Sequence, residues 1–308
     1  MDMPSPCAPS RVRQSTRMLS LIGAATGIGC ALSATSEAPA YLCDRGIIGR
    51  LGAQGVEARW SEIIAVSDEA GADVAGAISR AGRSLAYSVS DAVRNNSSFT
   101  VLGGDHSCAI GTWSGAANAL RGDGPLGLIW VDAHMDSHTP ETSPSGRIHG
   151  MPLACLLGHG DSALTAIAHA PPAVLPQHVA IVGVRSYEAE EAEMLRRLGV
   201  RVFFMGEIEK RGLAAVMDDA SHIAFNGTAG AGISIDLDAL GPEEVSAVGS
   251  PEPGGLAVSD LCAALTRFTE NPRAIGCEIV EFNPTLSGAV KTADIIEELL
   301  VSFQGRRA

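Results

Sequence analysis

The chain is 308 residues long, 46% hydrophobic, 19% charged and only 4% aromatic, so it can bury a large core but must build it mostly from Ala, Val, Leu, Ile and Gly. Its net charge of −13 argues against a nucleic-acid or anionic-membrane partner, since either needs clustered Lys and Arg to displace counterions; a cationic small molecule would be tolerated or attracted. Seven cysteines (Cys7, Cys30, Cys43, Cys108, Cys155, Cys262, Cys277) form an odd set without a CxxC pair, the pattern of reduced thiols in a cytoplasmic enzyme.

In chain order, residues 1–16 are expected to form a disordered tail and residues 17–308 a single domain. Arg11, Arg13 and Arg17 ahead of the apolar run 18–34 give the outline of a secretory signal. Against export, Gly23, Gly27 and Gly29 interrupt the run, which leads directly into a helical pattern over 38–51; residues 18–22 are read instead as a first buried strand. The turn from Gly23 through Gly27 to Gly29 resembles the glycine turn of short-chain dehydrogenases. That resemblance also demands a Tyr with Lys four positions on. Tyr41, Tyr87 and Tyr187 are followed at that offset by Arg45, Asp91 and Glu191, so the dehydrogenase active site is missing.

Beyond this point short apolar runs alternate with longer helical patterns, the signature of a parallel sheet covered on both faces. Strands are expected at 99–102, 126–131, 179–184, 200–204, 232–237 and 274–282, with helices at 67–94, 188–198, 258–270 and 288–303. The fold class is therefore α/β: one three-layer domain with a mostly parallel central sheet.

Three clusters sit just beyond expected strands, where an open α/β sheet places its ligands. They are Gly103-Gly104-Asp105-His106-Ser107, Asp132-Ala133-His134-Met135-Asp136 and Ser234-Ile235-Asp236-Leu237-Asp238. Residues two apart on an extended segment point the same way, so Asp132 with His134, and Asp236 with Asp238, can each serve one site. A lone Asp after a strand is more often a helix cap, and Asp105 is read that way, beside His106. Four other carboxylates and two histidines brought to one sheet edge need more explanation. Ionised carboxylates that close repel one another, and burial makes this worse, yet no Lys or Arg lies within the motifs to compensate. Divalent metal is the economical answer, and oxygen-rich ligation with some imidazole and no thiolate favours Mn²⁺ over structural zinc.

GGDHS, DAHMD and SIDLD, in that order and at these separations, resemble the metal motifs of the arginase and agmatinase group of ureohydrolases, and the resemblance covers roughly residues 18–303. It implies an arginase-like fold and two Mn²⁺ per subunit. One would be held by His106, Asp132, Asp136 and Asp236, and the other by Asp132, His134, Asp236 and Asp238. Water activated between two cations would attack a guanidinium carbon, giving urea and an amine. The loop Ser145-Gly146-Arg147-Ile148-His149-Gly150 is similar to the one whose histidine shuttles protons, making His149 the implied general acid. Asp136 stands with it and Glu281 as a catalytic residue. Glu278-Ile279-Val280-Glu281-Phe282-Asn283-Pro284 resembles the strand end whose glutamate binds the guanidinium, here Glu281.

The positions facing the substrate's other end depart from the arginase pattern. His138 and Arg147 stand where asparagines are usual, and Glu188 where an Asp is expected; with Ser145 these form the implied tail-binding set. An arginine can still grip an α-carboxylate as a charged fork. Gly241 and Ala247-Val248 also differ, without removing a ligand. The leading reading is hydrolysis of L-arginine, a small guanidino substrate, with N-hydroxyarginine, agmatine and guanidinobutyrate as alternatives and a catalytically silent binding subunit as the reading from another class. The resemblance further implies a homo-trimer or homo-hexamer.

Overall fold

Apolar runs of four to eight residues suit a pleated ribbon, which buries both of its faces when helices cover the sheet above and below. In the computed structural model, which describes residues 18–66 and 73–304, eight such strands form: β1 (Leu19–Ala25), β2 (Ala58–Ala65), β3 (Ser98–Gly103), β4 (Leu126–Val131), β5 (Val179–Val184), β6 (Arg201–Phe204), β7 (Gly230–Asp236) and β8 (Ala274–Val280). They join in one sheet of order β2-β1-β3-β8-β7-β4-β5-β6. Every neighbouring pair is parallel. The expected strands match within a few residues. β2 was not anticipated, because an edge strand carrying Arg59, Ser61 and Glu62 is only half buried and loses the apolar run. The tail expected at 1–16, and the first residues of the helix expected from 67, lie outside the described residues.

The helices divide between the two faces. On one side pack α1 (Ala38–Asp44), α2 (Ile47–Ala53), α8 (Met205–Arg211), α9 (Leu213–Phe225), α10 (Val258–Phe268) and α11 (Ala289–Gln304). On the other pack α3 (Val74–Arg94), α4 (Ala109–Leu120), α5 (Pro152–Leu156), α6 (Ser162–Thr165) and α7 (Ala189–Leu198). The strands feed both layers by alternation: Ile129 and Val131 of β4 enter the first core, Leu128 and Trp130 the second. The pattern at 38–51 splits into α1 and α2 because Gly46, at φ +71°, turns the chain in the left-handed region. Among the described residues no helix is long and apolar enough to cross a membrane.

The chain runs from β3 to β4 across a gap of two strands that β7 and β8 later fill. The carboxyl ends of β3, β8, β7 and β4 therefore lie side by side at the middle of the sheet. In an open parallel sheet that reversal of strand order is where ligands bind.

Candidate metal centre

Each of the three motifs leaves one of these strand ends. Asp105 follows β3 and caps a short 3-10 turn, its carboxylate accepting from Ser107 N (3.0 Å) and Gly29 N (3.0 Å). His106, the next residue, is fully buried and stacks on the Trp130 ring at 4.2 Å. Its Nδ1 lies 2.9 Å from Asp136 Oδ2, 3.1 Å from Asp236 Oδ2 and 3.3 Å from Asp132 Oδ2. Nδ1 nevertheless makes no hydrogen bond, although it is out of reach of solvent. An orphaned imidazole nitrogen among three carboxylate oxygens is the arrangement of ligands converging on a common cation, and the four ligand atoms lie within 4.8 Å of one another.

Asp132, His134 and Asp238 form a second such group. His134 Nδ1 is 3.1 Å from Asp238 Oδ2 and 3.5 Å from Asp132 Oδ1. Asp132 thus turns Oδ2 towards the His106 group and Oδ1 towards the His134 group. Backbone and ring donors fix this: His134 N donates to Oδ1 at 2.7 Å, and Trp130 Nε1 to Oδ2 at 2.9 Å. Asp236, implied to be shared as well, joins the first group alone, and its Oδ1 accepts from Asp238 N at 2.9 Å. The strict two-residue alternation expected along these motifs does not persist past the strand ends. Asp238 sits in a 3-10 turn, and Asp136 has φ +48°, a left-handed conformation costing about 1–3 kcal/mol that surrounding contacts must maintain.

The electrostatics point the same way. Burial, reinforced by Asp238 and Asp132, pushes the Asp236 pKa well up; burial and the Asp132 charge raise Asp136 to about 6. Burial and Asp132 raise Asp238 too. Burial opposes charge on His106 and His134, but the carboxylates around them outweigh it and raise both. Burial would likewise raise Asp132, yet the two histidines hold it far below the usual carboxylate range. Left to themselves these groups retain protons to limit their repulsion, and divalent cations would replace those protons. Arg185 does not take that role. Its guanidinium donates to the carbonyls of Asp238 (2.6 Å), Ala239 (3.3 Å) and Glu252 (3.1 Å), bracing the loop behind the carboxylates.

Beside the cluster, Glu281 Oε1 accepts from His106 N at 2.8 Å and lies 3.2 Å from His149 Nδ1. Glu281 also has a left-handed backbone, φ +67°. Burial works against protonation of His149, but its hydrogen bond to Glu281 outweighs this and raises its pKa. The glycine turn that resembled a nucleotide site serves here as a strut: Gly29 N donates to Asp105, and Gly29 O accepts from His149 N at 3.2 Å. A Cβ at Gly29 would stand 2.6 Å from Asp105 Oδ1, so a side chain there would drive the strut off its anchor.

Further out, His138 Nε2 lies 3.0 Å from Glu188 Oε2, and its Nδ1 3.2 Å from Thr142 Oγ1. Glu188 caps α7 in a capping box with Glu191. Helix start and histidine partner are therefore one residue. Ser145 and Arg147 are exposed, with Ser145 Oγ accepting from Arg147 N at 3.3 Å. Sequence reasoning did not single out Glu191 or Glu252. Glu191, raised to about 7 chiefly by burial, accepts from Ser137 N, while Glu252 Oε1 lies 3.6 Å from His134 Nε2. Nothing local marks Glu252, and the local signal at Glu191 is only that of the capping box at the start of α7. Trp130 could have been found, since it stands two positions before Asp132 at the end of β4 and so on the same face.

Two groups that could each hold a cation and that share a carboxylate, at the carboxyl edge of a parallel sheet, fit one class of protein: a hydrolase built around a binuclear metal centre. Residues 17–304 match the sequence profile of the arginase family. The arginase of Bacillus caldovelox is 40% identical over 231 residues, 75% of this chain and 76% of that protein. The crystal structure of Bacillus subtilis arginase superposes with a TM-score of 0.87 at 32% identity, covering 94% of this chain and 99% of that one. The Entamoeba histolytica arginase in complex with L-ornithine gives 0.85 at 27%, covering 95% and 100%. The chain belongs to the arginase family, and it is a metal-dependent amidinohydrolase.

Proposed function

We propose that the chain hydrolyses L-arginine to urea and L-ornithine with two Mn²⁺ as its resident cofactor, working as a cytoplasmic homo-trimer or homo-hexamer. One observation carries the reading: Asp132 presents separate oxygens to two imidazole–carboxylate groups, one of which keeps an orphaned, fully buried His106 Nδ1. His106, Asp132, Asp136 and Asp236 would hold one cation, and Asp132, His134 and Asp238, with Asp236 alongside, the other. When bound, the cations polarise a water for attack and neutralise the carboxylates. The arginases named above, one of them in complex with L-ornithine, support the choice of substrate.

This chain's own groups do the rest. Glu281, held by His106 N, is assigned to bind the guanidinium through charge-assisted hydrogen bonds and orient it. His149, whose pKa burial lowers but Glu281 raises by more, is assigned to deliver a proton to the departing nitrogen. Asp136 is assigned both as a ligand and to steady the attacking water. His138, Ser145, Arg147 and Glu188 are assigned to the amino-acid end. In balance, the bond from the guanidinium carbon to the substrate's side-chain nitrogen breaks, the water oxygen stays on carbon as urea, and both water protons end on that nitrogen, which leaves as the amine.

Urea release measured with Mn²⁺ on arginine, N-hydroxyarginine, agmatine and guanidinobutyrate tests this. Arginine is expected to give the highest kcat/KM. No urea from any of the four, and no hydroxyurea from N-hydroxyarginine, would overturn the substrate class. Sedimentation reads the assembly.

A further inference from the structure

Glu278 of β8 is fully buried, and the chemistry described above makes no use of it. Its Oε1 accepts from Thr112 Oγ1 (2.5 Å) and the Cys108 thiol (3.6 Å), and its Oε2 from Trp113 Nε1 (3.0 Å) and Ser234 Oγ (2.7 Å). Four donors on two oxygens are what a carboxylate requires when no Lys or Arg reaches it, and indole N–H cannot act otherwise than as a donor. The surroundings are built for this. Trp113 packs so closely over β7 that a Cβ at Gly232 would meet its ring at 2.0 Å, and Ser234 and Glu278 are register partners across β7 and β8.

Ser234 has one hydroxyl proton. With that proton given to Glu278, Ser234 Oγ can only accept from its other neighbour, His106 Nε2, at 3.1 Å. An imidazole protonated at Nε2 keeps its lone pair on Nδ1, the atom that faces Asp132, Asp136 and Asp236. We infer that Glu278, acting through Ser234, is a positioning residue for the cation centre, locking His106 in the tautomer and orientation that leave Nδ1 free to ligate. This rests on the proposed role of His106 as a ligand. An apolar side chain would fill the site at lower cost, so a plain packing role does not account for a buried carboxylate.

The test uses the full chain stripped of metal, titrated with Mn²⁺ by calorimetry, for the wild type, Ser234→Ala, Glu278→Gln and the double variant. Melting temperatures without metal serve as the folding control. Each single variant is expected to weaken one of the two cations by about ten-fold or more, the usual scale for losing a partner behind a metal ligand. The other cation should change by less than about two-fold, and the double variant should bind no more weakly than the worse single one, because both act in one chain of hydrogen bonds. If Glu278→Gln does not fold, Ser234→Ala decides alone. Wild-type affinity at both sites in a folded Ser234→Ala overturns the relay, as does an equal loss at both sites. A wild type that takes up no Mn²⁺ overturns the proposed cation centre and the relay with it. Two tightly bound cations with unaffected variants overturn only the relay.

Discussion

The proposed cation cradle and the rim proposed for the substrate's amino-acid end are built on opposite plans. In the cradle, His106, Asp132, Asp136, Asp236 and Asp238 are buried, and the backbone or a ring nitrogen aims most of their carboxylates: His134 N and Trp130 Nε1 on Asp132, Asp238 N on Asp236, and Ala133 N on Asp238. On the rim, Ser145 and Arg147 are exposed on a loop, and the Glu188 end of the His138–Glu188 pair is about half exposed. A group fixed by several buried hydrogen bonds keeps its geometry whatever binds, whereas an exposed loop can change residues at little cost to stability. A substitution on the rim should therefore alter substrate preference with less effect on the cradle's geometry than a substitution within the cradle.

The largest effect should come from the residue both cation groups share. Asp132→Ala is expected to lose retention of both cations and to cut turnover by roughly 10³-fold or more, the scale of removing a major electrostatic contribution, while far-UV circular dichroism stays native. Metal analysis and urea assay read the two losses. If one cation alone is lost, the cradle is two separable sites and the comparison must be redrawn. Next comes His149→Ala. It should lower kcat by about 10²–10⁴-fold, as for loss of a general acid, and leave Mn²⁺ stoichiometry unchanged. A loss confined to KM would move His149 from the chemistry to the rim.

A smaller effect follows from pH. Asp136 is raised to about 6, first by burial and then by Asp132. Above that pH it is ionised and free to ligate; as pH falls through it, a proton must be displaced, so Mn²⁺ affinity should drop by about ten-fold per pH unit for this one proton. The stability of metal-stripped protein runs the opposite way. An acid whose folded pKa is raised favours the native state below its unfolded pKa and loses that contribution as pH rises through about 6. Mn²⁺ should therefore raise the melting temperature more at pH 7.5 than at pH 5. An equal increment at both would mean that Asp136 does not titrate against the cation.

What the sequence reveals follows the same division. β4 and β5 are wholly buried and read as continuous apolar runs, β7 is as buried but carries Ser234 and Asp236, and the motif residues at the ends of β3, β4 and β7 come together as their positions suggest. α4 escaped notice because every side of it is covered: AIGTWSGAANAL has no polar face to set a 3.6-residue period. The contacts of Glu191 with Ser137 and of Glu278 with Ser234 join residues more than forty positions apart, which spacing along the chain cannot reveal. His138 and Glu188, both expected at the substrate's amino-acid end, are also paired with each other, and Thr142 flanks His138. That pairing depends on where α7 begins, a matter of tertiary packing and not of local pattern.

The smallest effect is confined to the rim. Arg147 is exposed, so its attraction for a substrate carboxylate is screened by water and salt and is worth at most about 1 kcal/mol. Arg147→Ala should raise KM for arginine by roughly two- to five-fold, consistent with that ceiling, and leave kcat and Mn²⁺ binding alone. For agmatine, which has no carboxylate, KM should stay the same or fall, and the arginine effect should shrink in high salt. A change in kcat would mean that the loop carrying Arg147 also positions His149, two residues further on, and that cradle and rim are mechanically joined after all.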